Sequence, residues 1–357
     1  MRVQVELTNR CNLSCDYCIR NYWNTKLMDL PLTKFKEIVD EFDADRFILY
    51  GFGESTIHND FDEMLRIAAS KAGVLLVTNG LNVSRFADKV DILAISINRF
   101  NRSVRSMLKS LKPELYISVI LTNQNIFKFP EIVRWACEND INVIATNLIP
   151  YNAKMYEKTL FVEISRKPVE ICRNMIENIG EFSRDVARLS PNALKLYRDV
   201  LNALEGYDLN LSYMSKNWNR ILMAERAESV LCRVREIANT YGIELELPKM
   251  FADARSRFCP YEDCIFVRAD GRISPCMELA YTHPLYLEFE RIIEEYTSDN
   301  IDDEFFKKRR NLDEFPWCGD CQFAEGCWYI DESMDCYGNK PSCSQCLYSV
   351  GIARCLL

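Results

Sequence analysis

Thr8-Asn9-Arg10-Cys11-Asn12-Leu13-Ser14-Cys15-Asp16-Tyr17-Cys18 follows directly on the alternating run Val3-Gln4-Val5-Glu6-Leu7. Alternation of apolar and polar residues reads as a half-buried strand, so the cysteines leave its C-terminal end. Their spacing is C-x3-C-x2-C, with an aromatic residue just before the last. Three thiolates can hold three corners of a cubane 4Fe-4S cluster and leave the fourth iron without a protein ligand, free to bind a substrate. A cluster that stores or transfers electrons usually has four protein ligands. A zinc knuckle is the competing reading. Zinc prefers four ligands, usually in two pairs, and no fourth Cys or His lies near.

The 357 residues allow a large core and two domains, expected at 1–248 and 249–357. No apolar run approaches a membrane span. No signal peptide is visible, because strand-like sequence starts at Arg2, and a cytoplasmic setting is expected. Lys+Arg 44 against Asp+Glu 52 gives a net charge of −8, which disfavours a nucleic-acid partner, since that needs a basic face. Sixteen cysteines without an export signal favour metal clusters over a disulfide framework. Only two histidines occur, His58 and His283, so a multi-histidine metal site is excluded. Both read as surface or loop residues.

After the cysteine loop, Thr33 is placed to cap a helix whose Phe35, Ile38, Val39 and Phe42 fall on one face. Arg46-Phe47-Ile48-Leu49-Tyr50 reads as a second strand, ending in Gly51-Phe52-Gly53-Glu54-Ser55-Thr56. Glycines there allow close backbone approach to a ligand. Asp60 and Glu63 have capping-box spacing before a helix that buries Phe61, Met64, Leu65 and Ala68. Further strands are expected at Val74–Val77, Ile92–Asn98, Tyr116–Leu121 and Asn142–Leu148, with helical stretches between them, one with Pro130 in its first turn. A βαβα order implies a parallel α/β sheet, because parallel neighbours need crossovers. Ligands bind such sheets at the C-terminal strand ends. The cysteine loop, Glu54, Asn79, Ser96, Asn123 and Asn147 all fall there. Residues 151–218 look helical, with Ser190-Pro191 opening one helix. A longer helix, about Asn219 to Tyr241, presents Ala227, Val230, Leu231, Val234, Ala238 and Tyr241 on one face, and Gly242 ends it. A strand is expected from Ile243 to Leu247. Cys137, Cys172 and Cys232 read as core residues.

The cysteine spacing resembles the signature of the radical S-adenosylmethionine (SAM) superfamily, and Gly51-Phe52-Gly53-Glu54-Ser55 resembles its G-G-E-P motif, with Ser55 in place of the proline. The resemblance implies a partial (β/α)6, TIM-like barrel. It also implies that an open iron chelates SAM and that one electron cleaves it to a 5′-deoxyadenosyl radical. The electron would come from a small ferredoxin- or flavodoxin-like protein. Cofactor-binding residues implied in this way are Tyr17 beside the adenine, Gly51, Phe52, Gly53 and Glu54 at the SAM amino group, and Asn79, Ser96, Asn98 and Asn123 at strand ends. Ser96 with Arg102 or Arg105 would meet the ribose and carboxylate, and the backbone at Leu148 and Ile149 the adenine edge.

Most of the cysteines lie in the last ~100 residues, a layout that resembles the C-terminal extension called SPASM, which binds one or two auxiliary 4Fe-4S clusters. On that resemblance Cys259, Cys264 and Cys276 supply one cluster, with Gly271 five residues before Cys276. Cys318, Cys321 and Cys327 supply a second, completed by Cys343 or Cys346. Where the family usually has a further cysteine, this chain has Asp331. Either that carboxylate ligates, or Cys336 does, or the first auxiliary cluster has an open site. Zinc ribbons share the C-x2-C spacing and remain the alternative. Asp335 to Cys355 resembles radical SAM maturases of tungsten cofactor oxidoreductases. Sulfatase-maturing relatives place an aspartate base directly after the cysteine at 276. This chain has Met277 there, then Glu278, which is the candidate base. With strand-like sequence from Arg2, no N-terminal extension for gripping a leader peptide is expected, which disfavours peptide maturation by a self-contained enzyme.

The leading expectation is a SAM-cleaving enzyme that takes hydrogen from a substrate protein, peptide or pterin cofactor. A peptide- or protein-modifying maturase is the nearest alternative. A non-catalytic iron–sulfur electron carrier would need neither the glycine–glutamate loop nor a three-cysteine cluster. A zinc-stabilised interaction module is the remaining class, and metal analysis separates it.

Overall fold

The computed structural model describes residues 1–21, 25–81, 83–97, 102–111, 113–150, 153–162, 164–204, 211–253, 263–274, 277, 280, 347–348 and 350–354. Their centre is a mixed α/β unit. In chain order it comprises β1 (Arg2–Val5), α1 (Leu32–Glu41), β2 (Arg46–Leu49), α2 (Phe61–Ala69), β3 (Gly73–Thr78), β4 (Ile92–Ser96), α3 (Arg102–Leu108), β5 (Glu114–Leu121), α4 (Phe129–Cys137) and β6 (Asn142–Asn147). Short helices follow, α5 (Ala153–Tyr156), α6 (Arg166–Glu177), α7 (Ile179–Ala187), α8 (Pro191–Ala203) and α9 (Leu211–Lys216). Then come the long α10 (Trp218–Tyr241), β7 (Leu245–Glu246), β8 (Cys264–Val267) and β9 (Ile273–Ser274). Two 3-10 turns, Val83–Arg85 and Ala87–Lys89, connect β3 to β4 in place of an α-helix.

The sheet order is β7-β6-β5-β4-β3-β2-β1-β8-β9. β1 to β6 are parallel neighbours in sequence order, as expected for (β/α) units. β8 adds parallel to the free edge of β1, with Arg2 opposite Cys264, and β9 turns back antiparallel on it. The sheet therefore runs across the division expected between 248 and 249.

Strand residues alternate between two faces. Val3, Val5, Phe47, Leu49, Val74, Leu76, Leu93 and Ile95 pack under the helices with Phe35, Ile38, Phe61 and Met64. The opposite, inner face carries Ile48, Leu75, Val77, Ile92, Ala94 and Cys264. Gln4 and Glu6, also on that face, are 1% and 0% exposed. No helix among the described residues is long and apolar enough to cross a membrane.

Several local expectations are corrected. Thr33 does not cap α1. Pro31 occupies the flanking position and its carbonyl accepts from Phe35 N at 2.9 Å, so Thr33 already lies inside the helix. Asp60 precedes α2 but forms no capping box, because Arg66 takes both Glu63 oxygens, at 2.9 and 2.6 Å. His58 is a buried loop residue, with Nε2 at Leu30 O and Nδ1 accepting from Asp60 N. Cys137 and Cys172 are buried, whereas Cys232 lies exposed on α10, and so does Tyr241 at its end. Gly242 terminates that helix at φ +77°, the left-handed conformation that favours glycine.

Candidate functional site

The C-terminal strand ends meet at a cavity of about 240 Å³. Cys11, Cys15, Tyr17 and Cys18 line it with Gly51, Phe52, Gly53, Glu54, Asn79, Ser96, Leu148 and Ile149, all singled out in the sequence. The cysteine loop is held by the residues that precede its first thiol. Asn9 is fully buried; its Nδ2 donates to Lys26 O at 2.9 Å and its Oδ1 accepts from Met28 N at 2.7 Å. Thr8 Oγ1 donates to Met28 O, and Arg10 grips Asp29 through two hydrogen bonds. Arg20 reaches back from beyond Cys18 to Asn9 O at 2.9 Å. Each end of the loop is thereby tied, and a loop that must present three ligands needs that preorganisation.

The glycine loop meets the cysteine loop backbone to backbone. A Cβ on Gly53 would stand 2.0 Å from Thr8 O and 2.5 Å from Arg10 O, so only glycine fits. Glu54 N donates to Arg10 O at 2.8 Å. Its carboxylate is 3% exposed and accepts from Thr56 Oγ1 at 2.7 Å, Thr78 Oγ1 at 2.6 Å and Asn79 N at 2.8 Å. Asn79 Nδ2 in turn donates to Asn12 Oδ1 at 2.8 Å, inside the cysteine motif. Glu54 thus locks the ends of β2 and β3 to the cysteine loop.

Burial pushes the Cys18 thiol up, and burial followed by the charge of neighbouring Cys15 pushes the Tyr17 phenol far up. Tyr17 is therefore a neutral hydroxyl. The three thiols are half-buried and line one cavity. No three His, Cys, Asp or Glu among the described residues converge on a single-ion position. Three half-buried thiols on one cavity are the donor set of a cluster whose irons each take one thiolate, and on this donor set the loop fits a 4Fe-4S group.

Residues 5–161 match the Radical SAM superfamily. The chain carries a radical SAM domain. It is 23% identical, over 98% of its length and 96% of the relative's, to the tungsten-containing aldehyde ferredoxin oxidoreductase cofactor-modifying protein of Pyrococcus furiosus. It is 26% identical to the mycofactocin maturase of Mycolicibacterium smegmatis, over 41% of this chain and 44% of that protein. The solved structure of BtrN in complex with AdoMet and 2-DOIA aligns with 41% of this chain and 69% of its own at 13% identity. Its TM-score of 0.29 is too slight a likeness to argue from.

Other sequence-derived residues of the radical SAM domain fall elsewhere. Asn123 does not line the cavity. Its N and Nδ2 donate to Lys158 O and Glu157 O, closing the segment after α5. Arg105 lies half-buried in α3, away from the cavity lining. Asn98 and the side chain of Arg102 lie outside the described residues. So do Cys259, Cys276, Glu278, Cys318, Cys321, Cys327, Asp331, Cys336, Cys343 and Cys346. Cys264 is described. It sits 1% exposed in the inner wall among Ile48, Leu75, Val77, Ile92 and Ala94, its Sγ 3.4 Å from Ile265 O.

Sequence reasoning missed several residues. Glu6 Oε1 accepts from Phe52 N at 2.7 Å and its side chain fills the space beside Gly51, so β1 supports the glycine loop from below. Glu6 Oε2 also takes a long bond, 3.4 Å, from Ala269 N beyond β8. The polar positions in Val3-Gln4-Val5-Glu6 were the available signal, since they mark the inner face. Thr78, Ser118, Thr146, Tyr348 and Arg354 also line the cavity. For the last two no local pattern in the sequence pointed there.

Proposed function

We propose that this chain is a radical SAM enzyme of the maturase type, acting on a tungsten–pterin oxidoreductase or its cofactor. The observation that carries the reading is the shared cavity. Cys11, Cys15 and Cys18 face it together with the Gly51–Glu54 loop and the ends of the parallel strands. The three thiols would hold the cluster, and the glycine loop would hold the amino end of SAM. A bound cluster and SAM supply one-electron chemistry, by which hydrogen is taken from the substrate. The chain's own part is positional. Glu54 fixes two strand ends to the cysteine loop, Tyr17 contributes a neutral hydroxyl and ring, and the apolar inner wall keeps water from the floor. Cys259, Cys276, Cys318, Cys321, Cys327, Cys343 and Cys346, with Asp331 or Cys336, would hold auxiliary clusters of the SPASM type. A small ferredoxin- or flavodoxin-like donor would supply the electron.

The tungsten assignment is supported by the match to the Pyrococcus furiosus cofactor-modifying protein along nearly the whole of both chains. A second reading, modification of a peptide, is favoured by the shorter match to a mycofactocin maturase. The test is to co-produce the chain with a tungsten oxidoreductase, with Cys11, Cys15 and Cys18 intact or replaced by alanine. Cofactor content and activity of the partner should depend on the intact cysteines. Identical partners in both cases would remove the tungsten assignment and leave the peptide reading in its place.

A further inference from the structure

Two polar side chains on one side of the cavity have atoms without partners. Asn147, the last residue of β6, is 1% exposed. Its Nδ2 donates to Lys249 O at 2.9 Å and to Ile352 O at 3.0 Å. Both amide protons are used, so the amide cannot turn over, and its Oδ1 must look elsewhere. That oxygen is buried and has no hydrogen-bond partner, on a residue that lines the cavity.

Arg354 lies on the segment that Asn147 holds, two residues after Ile352, and lines the same cavity. The backbone of that segment is fixed by three contacts: Arg354 N donates to Thr146 Oγ1 at 2.9 Å, Ile352 O accepts from Asn147 Nδ2, and Gly351 O accepts from Lys249 N at 2.8 Å. Gly351 turns the segment at φ +74°, and Leu347, Val350, Ile352 and Ala353 bury against Phe161 and Ala252. The C-terminal segment is therefore built into the cavity wall, and its arginine lines the cavity. Arg354 Nε is enclosed without a partner, and no carboxylate among the described residues pairs with the guanidinium. The other arginine of the cavity, Arg20, is engaged with the carbonyls of Asn9 and Leu13. The carboxylate of Glu54 is taken by hydroxyls and a backbone N–H. A half-buried cation with no counter-charge among the described residues is better satisfied when an anion meets it. The planar guanidinium fork matches a carboxylate or a phosphate.

We propose that Arg354 and Asn147 form a recognition subsite for the molecule being modified. The guanidinium binds an oxyanion of the substrate, a carboxylate or phosphate, and Asn147 Oδ1 accepts from an N–H or O–H next to it. This rests on the radical SAM reading above, because SAM would share the cavity and itself carries a carboxylate. The experiment separates the two sources of the oxyanion. Full-length protein, loaded with clusters without oxygen, is titrated with SAM in phosphate-free buffer, and then, saturated with SAM, with inorganic phosphate. Heat is recorded for the unaltered chain, Arg354→Lys and Arg354→Met. The expected result is phosphate binding to the unaltered protein that weakens by about tenfold or more in Arg354→Met, as loss of a charged hydrogen-bond pair implies. Arg354→Lys should fall between, since it keeps the charge and loses the fork. The three SAM titrations should coincide. Equal phosphate binding by all three proteins, or none by the unaltered one, overturns the subsite. A parallel loss of SAM affinity assigns the oxyanion to SAM and overturns it too. If Arg354→Met does not load clusters, the comparison with Arg354→Lys decides. Failure of the radical SAM reading shows separately, as absent SAM binding by the unaltered chain.

Discussion

Cys18 and Cys264 flank the same strand, β1, yet the sheet gives them opposite surroundings. Cys18 follows the C-terminal end of β1 and lines the cavity, half-buried, beside two other thiols. Cys264 begins β8 level with Arg2, at the other end of the strand, and is buried in the apolar cluster that includes Ile48, Leu75, Val77, Ile92 and Ala94. At about 3.3 Å per residue, Arg2 to Val5 alone separates those levels by about 10 Å. Burial acts on both thiols. Among the described residues, Cys18 has two neighbouring thiols on its cavity with which it could share a metal group. Cysteine spacing names candidate ligands, and the position along the strand decides which cavity or wall each thiol joins.

The largest test of that contrast is to replace Cys11, Cys15 and Cys18 together by alanine. The protein should lose about four irons and all formation of 5′-deoxyadenosine, measured by metal analysis and chromatography after anaerobic preparation. Retained SAM cleavage would show that the loop is not the catalytic cluster site.

Gly53→Ala should come next. Its Cβ would press on Thr8 O and Arg10 O and part the two loops. Such backbone overpacking costs about 1–3 kcal/mol or more. SAM affinity should fall about tenfold or more and the melting temperature by several degrees. An unchanged SAM titration would show that the contact between the loops is dispensable.

Cys264→Ser sharpens the comparison from the other side. It places a hydroxyl in an apolar wall, for a loss of about 1–3 kcal/mol in unfolding free energy. Iron content should stay unchanged. A loss of iron would make Cys264 a ligand despite its enclosure.

The smallest effect concerns thiols outside the site. Burial pushes Cys172 up to about 11, whereas Cys232 is exposed. At pH 8 about one Cys172 in a thousand is thiolate, so iodoacetamide should label Cys232 first, as read by peptide mass mapping. Raising the pH toward 10 should speed Cys172, because its thiolate fraction rises. Early labelling of Cys172 at pH 8 would mean that its helix opens readily.

Much of this was legible because it is local. C-x3-C-x2-C after an alternating run placed the cysteine loop at a strand end. The stripes of α1 and α2 named Phe35, Ile38, Phe61 and Met64 as core. Capping failed where competitors stood close by: Pro31 displaced Thr33, and Arg66 took Glu63. Cys232 and Tyr241 failed because an apolar stripe shows which face is buried, not how far along a helix the partner continues.

The sequence by itself determined the parallel α/β order, the loop at the end of β1 and the glycine–glutamate turn after β2, since each depends on periodicity or spacing within one segment. Tertiary structure alone decided that Glu6 supports Phe52, that β8 carries Cys264 into the inner wall, and that Asn147 holds the segment bearing Arg354. Those contacts join residues 46 to 262 positions apart in the chain, from Glu6 with Phe52 to Arg2 with Cys264. Periodicity shows which face an element buries. Which distant segment arrives to cover it is set by packing and hydrogen-bond satisfaction across the whole sheet.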